Sequence, residues 1–478
     1  MPSGYISGVH GSEKNVSSTG TKGSQSYAWL VCGVAAIAGL LFGFDIAVIN
    51  GAIVFLRAQF RLTDFETELA VSSLLIGCIA GAALAGWLSD RFGRKRVLSF
   101  SALLFAVSSL GAALPRDFVQ FGVARFIGGI AIGIASMLAP LYIAEVSPAR
   151  IRGRLVSLNQ MAVVTGILLA YLINWALSFS GESSWRWMFA AAIVPSLGLF
   201  FGLFFVPESP RWLMEQNREA DARLILSRVE GPERADQHLV QIRESLQMEA
   251  SKFSDLLAPA LRRPLFLVVA LAVLQQITGI NTVLFYGSII WERELGGHSA
   301  SAAIGANATI GAVNFLVTIA ALWLIERLGR RPVLMFSSAC MAVCQLMLGL
   351  AFLLHPPPAP LVLGAMLLCV AAFAIGLGPA TWVLMAELFP TRVRGRAMSI
   401  ANMALWIASF VLTFTFLSLT RAITITGAFC LYSFLCVLTF LLVWRLVPET
   451  KGKTLEEIEV LWSRDEGPMT SAKRGEDK

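Results

Sequence analysis

The chain has 478 residues, 56% of them hydrophobic and only 14% charged, with a formal net charge of +7. Soluble globular domains carry about 25% charged residues, so this composition excludes a fold solvated by water on every side. The basic residues form no stripe interleaved with aromatics, which argues against nucleic acid as a partner; they come in short bursts between apolar stretches.

Residues 1–26 are rich in Ser and Gly and hold no apolar run, so they read as a disordered tail and not as a signal peptide. A helix needs roughly 20 apolar residues to cross a hydrocarbon core of about 30 Å. About twelve such stretches follow, near 28–53, 67–88, 97–114, 118–143, 155–178, 186–206, 264–290, 301–325, 332–354, 359–386, 397–419 and 423–447. Between the sixth and seventh lies a polar segment with Arg218, Glu219, Asp221 and Arg223, suited to short amphipathic helices on one membrane face. The expected fold is an all-α membrane protein of twelve transmembrane helices in two six-helix halves. A first bundle spans 27–210, a cytoplasmic helical linker 211–262, a second bundle 263–450 and a tail 451–478.

Lys and Arg concentrate in alternate connections: Arg91, Arg94, Lys95 and Arg96; Arg150, Arg152 and Arg154; Arg327, Arg330 and Arg331; Arg392, Arg394 and Arg396. The positive-inside rule places those loops, the linker and both termini in the cytoplasm of a cell, plasma or bacterial inner membrane. The seven cysteines (Cys32, Cys78, Cys340, Cys344, Cys369, Cys430 and Cys436) all fall in apolar stretches and read as packing residues. The four histidines lack metal-ligand spacing, so neither a metal nor a cofactor is expected. No nucleophile with a base and no phosphate loop points to an enzyme.

The chain repeats itself. Glu145-Val-Ser-Pro-Ala-Arg-Ile-Arg-Gly-Arg154 returns as Glu387-Leu-Phe-Pro-Thr-Arg-Val-Arg-Gly-Arg396, and Asp90-Arg-Phe-Gly-Arg-Lys95 returns as Glu326-Arg-Leu-Gly-Arg-Arg331. Pro207-Glu-Ser-Pro-Arg211 has a looser echo in Pro448-Glu-Thr-Lys-Gly452. Parallel halves of this kind suit alternating access to a site at their interface near the midplane. Glu145 and Glu387 end their helices among the loop arginines. Charge-assisted bonds among Asp90, Arg91, Arg94, Glu145, Arg152, Glu326, Arg330, Glu387 and Arg394 would latch the halves while the site faces outward.

Together with Gln275-Gln276-x-x-Gly279-x-Asn281, these motifs, in order and at consistent spacing, resemble the sugar porter family of the major facilitator superfamily. The likeness runs from about residue 28 to 460. It implies a transporter working with a small-molecule sugar and a proton in a lipid bilayer, functional as a monomer.

Asp45 stands inside the first span, where an acid costs about 2.5–3.5 kcal/mol on insertion scales and must face a cavity or a partner. The resemblance implies Arg125 as that partner and a proton-carrying role for the pair. Gln275, Thr282 and Tyr286 share a face of an ideal seventh helix, whereas Gln276 and Asn281 lie about 140° apart and need a distortion that Gly279 permits. Neutral amides suit a ring of hydroxyls, and the resemblance implies that Gln275, Gln276 and Asn281 contact sugar. Gln160, Tyr286, Asn314, Trp382 and Trp406 complete the expected substrate set, with the break at Gly376-Leu-Gly378-Pro379 letting span ten bend. Ile167, Leu405 and Ser409 stand where the family often has amides, and Phe285-Tyr286 where it often has Tyr-Tyr, so the pocket is more apolar than a typical glucose site. The reading is a proton-coupled monosaccharide importer for a hexose or pentose. A passive sugar or polyol uniporter is the main alternative, and a non-transporting sugar sensor a lesser one.

Overall fold

The computed structural model describes residues 24–148, 150–248, 259–294, 300–389 and 391–451, and no strand occurs among them. The expected tails lie, except for Ser24–Ser26 and Lys451, outside the described residues. The first helix nonetheless starts two residues before the expected boundary. Ser24 caps it, its hydroxyl accepting from Tyr27 N at 3.2 Å.

The first half comprises α1 (Gln25–Phe60), α2 (Asp64–Phe92), α3 (Arg94–Ala113), α4 (Phe118–Val146), α5 (Arg152–Leu177) and a sixth span in two pieces, α6 (Ser184–Ala190) and α7 (Ile193–Gly202). The linker folds as α8 (Pro210–Glu215), α9 (Glu219–Glu230) and α10 (Pro232–Met248). They close a small apolar core of their own around Trp212, Leu213, Leu226 and Leu239. The second half comprises α11 (Pro259–Ile277), α12 (Ile280–Glu294), α13 (Ala300–Leu328), α14 (Arg330–Ala351), α15 (Ala359–Ile375), α16 (Pro379–Glu387) and α17 (Thr391–Leu446). Helix α11 thus begins inside the segment assigned to the linker.

Eleven continuous stretches among the described residues are long and apolar enough to cross a membrane, the last being the 52 residues Gly395–Leu446. Run straight, 52 residues would measure roughly 78 Å, more than twice a hydrocarbon core. The run breaks at Thr424, whose φ of 67° is not helical, so it crosses twice and the chain makes twelve crossings.

Lipid offers no hydrophobic drive between helices, so close packing must hold them. Small residues supply it. A Cβ on Gly43 would sit inside the Val163 carbonyl, and one on Gly166 inside that of Leu40, which locks α1 onto α5. Gly77 and Gly129 do the same for α2 and α4. The outward surface carries large exposed apolar side chains such as Phe100, Val107, Phe201 and Phe204. At its basic edge Arg91 lies over Trp87 and Phe92, at 5.7 and 5.6 Å, and Arg327 over Trp323 at 4.4 Å. Long basic side chains with aromatic beds mark a membrane–water boundary.

The repeated turns share one construction. Gly93 and Gly329 take φ of 93° and 96°, which other residues rarely adopt, and so let α2 turn into α3 and α13 into α14. The glutamates of the two Pro-Glu motifs then cap the following helices. Glu208 accepts from Lys95 N at 2.9 Å, and Glu449 accepts from Arg330 N and Arg331 N, each at 3.1 Å. Burial pushes the Glu208 carboxyl above the usual range, and the backbone N–H groups of Lys95 and Ser209 oppose that shift.

Gly43→Ala should destabilise the protein by about 1–3 kcal/mol, the usual range for overpacking. Gly153→Ala, where an added Cβ meets nothing within 4 Å, should be neutral. Thermal melts in detergent check the contrast, and equal melting temperatures would discount α1–α5 packing as a determinant.

Candidate functional site

The seventh span is not one helix. It stops at Ile277 and restarts at Ile280, with Gly279 at φ 86° between. The face expected to join Gln275, Thr282 and Tyr286 is divided by the break: Thr282 and Tyr286 still share a face of α12, four residues apart, and Gln275 lies on α11. The break instead brings Gln276 and Asn281 together, Asn281 Nδ2 donating to Gln276 Oε1 at 2.7 Å and to Ser409 Oγ at 3.0 Å.

The tenth span breaks too, between α15 and α16, at Gly376–Gly378. Gln275 Nε2 donates to the carbonyls of Leu377 and Gly378, at 2.6 and 3.2 Å, and Gln276 Nε2 donates to Gln275 Oε1 at 3.4 Å. Gln275 is thus a tie between two broken spans, its carboxamide nitrogen on the tenth and its oxygen accepting from Gln276. Across the first break, Gln345 Nε2 donates to Thr278 O at 2.8 Å. Tyr286 is fully buried, its hydroxyl donating to Thr413 O at 2.7 Å, which makes it a strut between α12 and α17 in this conformation. Asn314 is buried and Gln160 and Trp382 half-buried. The buried Trp406 meets Phe42 of the first half edge-on, ring centroids 5.5 Å apart. Of the positions read as lost amides, Ile167 and Leu405 are buried carbon, while Ser409 still accepts from Asn281.

Asp45 and Arg125 meet as the resemblance implied. Arg125 Nη1 lies 2.6 Å from Asp45 Oδ1, both residues are buried, and the guanidinium sits 5.3 Å from the Phe189 ring centre. Asp45 Oδ2 and Arg125 Nε and Nη2 have no partner. A pair held by a single contact in a dry interior changes its packing when the acid gains a proton, because attraction that offset desolvation is lost.

On the basic face, the expected latch residues pair inside their own halves. Arg94 grips Glu145 through Nε at 3.1 Å and Nη2 at 3.2 Å, with Ser209 Oγ donating to Glu145 at 2.5 Å. The second half repeats this: Arg330 donates to Glu387 at 2.9 Å and Thr450 Oγ1 to Glu387 at 2.6 Å. Asp90 reaches Arg94 at 3.5 Å from an exposed position, Arg152 Nε is buried without a partner, and Glu326 is exposed. Arg91 lies on its two aromatic rings. The Arg394 side chain lies outside the described residues.

A set of bonds between the halves lies toward the opposite face, and the sequence reading missed it. Asn50 of α1 donates through Nδ2 to Leu284 O at 2.7 Å and accepts through Oδ1 from Ser288 N at 2.9 Å. Its carboxamide occupies both ends of one helical rung of α12. Tyr171 of α5 also donates to Leu284 O, at 3.0 Å. Glu68 of α2 accepts from Ser418 N at 2.6 Å and Ser418 Oγ at 2.7 Å, and Asp64 pairs with Arg421 and, at 2.7 Å, with Arg57. Glu68 and Asp64 are buried at 1% and 3% exposure, so the bonds to Glu68 are charge-assisted and shielded from water, whereas Arg421 reaches Asp64 from an exposed position. One signal was available: two acids at i and i+4 in the first turns of an otherwise apolar span.

A family model described as "Sugar (and other) transporter" matches residues 31–462. The chain is 37% identical over 446 residues to the arabinose-proton symporter of Bacillus subtilis, covering 92% of this chain and 96% of that one. It is 38% identical over 480 residues to the D-xylose-proton symporter of Escherichia coli K12, covering 92% and 97%. Among solved structures, a proton:xylose symporter of the major facilitator superfamily bound to 6-bromo-6-deoxy-D-glucose superposes with a TM-score of 0.81 at 37% identity, covering 91% of this chain and 99% of that one.

Glu68→Ala combined with Asn50→Leu should open the face opposite the basic loops. Bonds to charged groups contribute about 1.5–3 kcal/mol, so the population open on that face should rise at least about tenfold. Spin-label distances between the ends of α2 and α17 measure it, and an unchanged distribution would remove these bonds from the gate.

Proposed function

The chain belongs to the sugar porter family of the major facilitator superfamily, and from that premise we propose that it imports a monosaccharide, hexose or pentose, with a proton by alternating access. The observation that carries this reading is the neutral amide cluster at the broken seventh span, Gln276–Asn281–Ser409, set between two halves that also hold one buried acid–arginine pair. Uncharged donors and acceptors match the hydroxyls of a sugar, and they spare the desolvation cost that a charged lining would add.

The supporting roles follow from position. Gln160, Gln275, Gln276, Asn281 and Asn314 offer polar groups to the solute, Trp406 its ring face, and Tyr286 and Trp382 brace the helices that move. Asp45 carries the proton. While ionised it holds Arg125 across α1 and α4; once protonated it releases the guanidinium, and the helices repack. The asymmetry of loop charge supports a cytoplasmic basic face with both termini on that side, in a plasma or bacterial inner membrane. The pairs Arg94–Glu145 and Arg330–Glu387, with Asp90, Arg91, Arg152, Glu326 and Arg394 around them, serve as the cytoplasmic gate. Their present partners leave them poised within each half while the opposite face is closed. One monomer contains both halves and is the proposed working unit.

Purified protein in liposomes tests the reading. Counterflow with a panel of hexoses, pentoses and polyols should show exchange, and an inward proton gradient should drive accumulation. Asp45→Asn should keep exchange and lose accumulation. An Asp45→Asn protein that still concentrates its solute would sink the proton role, and exchange without gradient-driven accumulation in the unaltered protein would establish passive uniport.

A further inference from the structure

Helix α17 carries a polar line that the family motifs leave unexplained. Asn402, Trp406, Ser409 and Thr413 recur at steps of four, three and four, which places them on one helical face. All four are buried, at 4%, 2%, 2% and 0% exposure. Ser409 is engaged by Asn281, so the face looks onto the amide cluster. Three of the line's polar atoms have no partner: Asn402 Oδ1, Trp406 Nε1 and Thr413 Oγ1.

Two contacts fix where Asn402 points. Ser399, one turn nearer the basic face, reaches Met137 Sδ of α4 at 3.9 Å, and Trp406, one turn beyond, meets Phe42 of α1. Both partners belong to the first half. Asn402 lies between Ser399 and Trp406 at i+3 and i−4 on the same face, so its carboxamide is aimed at the boundary where a solute passes. A buried acceptor without a donor is costly, and native chains retain one where a ligand or water completes it.

We propose that Asn402 is a specificity-determining residue whose Oδ1 accepts one hydroxyl of the bound neutral polyhydroxylated solute, at the end of the site nearer the basic face. This rests on the transport reading and deepens it. The amides of α11 and α12 hold the solute from one side, and Asn402, about two helical turns from Ser409, reads a hydroxyl closer to the basic loops.

The test uses the full chain in liposomes, with counterflow of the best panel sugar and its monodeoxy analogues, one for each ring hydroxyl. In the unaltered protein one deoxy position should raise KM about five- to tenfold, the worth of one neutral hydrogen bond. In Asn402→Val the parent sugar should show the same rise, that one analogue should be unaffected, and the penalties at other positions and the maximal rate should stay as they were. The Val variant should melt no lower than the parent chain, since it deletes an unpaired polar atom. Asn402→Ser, which restores an oxygen acceptor, gives a second measure and should recover part of the discrimination. Equal losses for the parent and all analogues, or unaltered discrimination in either variant, would overturn the assignment. Absence of exchange by the unaltered protein with every panel member would remove the transport reading, and this inference with it.

Discussion

A helix in hydrocarbon must keep its backbone hydrogen bonds, so a break survives only where other groups take up the freed donors and acceptors. Everything at the centre of this molecule follows from two such breaks. The seventh span opens at Gly279 and the tenth at Gly376–Gly378. Gln345 covers Thr278 O, and Gln275 covers the carbonyls of Leu377 and Gly378. The broken spans are therefore tied to each other by side-chain amides, and the neighbouring amides, Gln276 and Asn281, bond across the first break. The polar site exists because the helices are interrupted there, and the interruptions are tolerated because the site is polar.

Around that centre the two halves share one construction. In each, a positive-φ glycine makes the turn after a span, a Pro-Glu glutamate caps the next helix, and an arginine holds the glutamate that ends another. Glu208, Arg94 and Glu145 do this in the first half, Glu449, Arg330 and Glu387 in the second. Glycine seams between α1 and α5 and between α2 and α4 bring backbones into contact, leaving little room for shear inside the first bundle. Motion is then confined to the boundary between bundles, where Asn50, Glu68 and Asp64 hold one face. Such a boundary has discrete arrangements rather than a continuum. The Asp45–Arg125 pair lies inside one bundle, between α1 and α4.

The twelve crossings, the duplicated halves, the alternation of basic loops and the need for a partner at Asp45 were all legible in the sequence. The reason is local: apolar length, charge position and repeated motifs report on a residue's own segment and on lipid as its solvent. That reading also allowed a distortion at Gly279, which the structure has, but it grouped Gln275 with Thr282 and Tyr286 on the geometry of an unbroken helix. The structure commits Gln275 Nε2 to two carbonyls and the Tyr286 hydroxyl to a third. Asn50 and Asn402 went unread because nothing in their own segments distinguishes a carboxamide that reaches another helix from one that faces water; at Glu68 the one available signal, its spacing from Asp64, was passed over.

By itself, then, the sequence determined what each segment is and how many times the chain crosses the membrane, because those properties depend on neighbours along the chain. Only the tertiary structure decided which side chains meet across it. Gln276 reaches Asn281 through a broken helix, Glu68 reaches Ser418 from 350 positions away, and Asn402 is left without a donor. Those outcomes depend on the packing of helices far apart in sequence, which no local periodicity encodes.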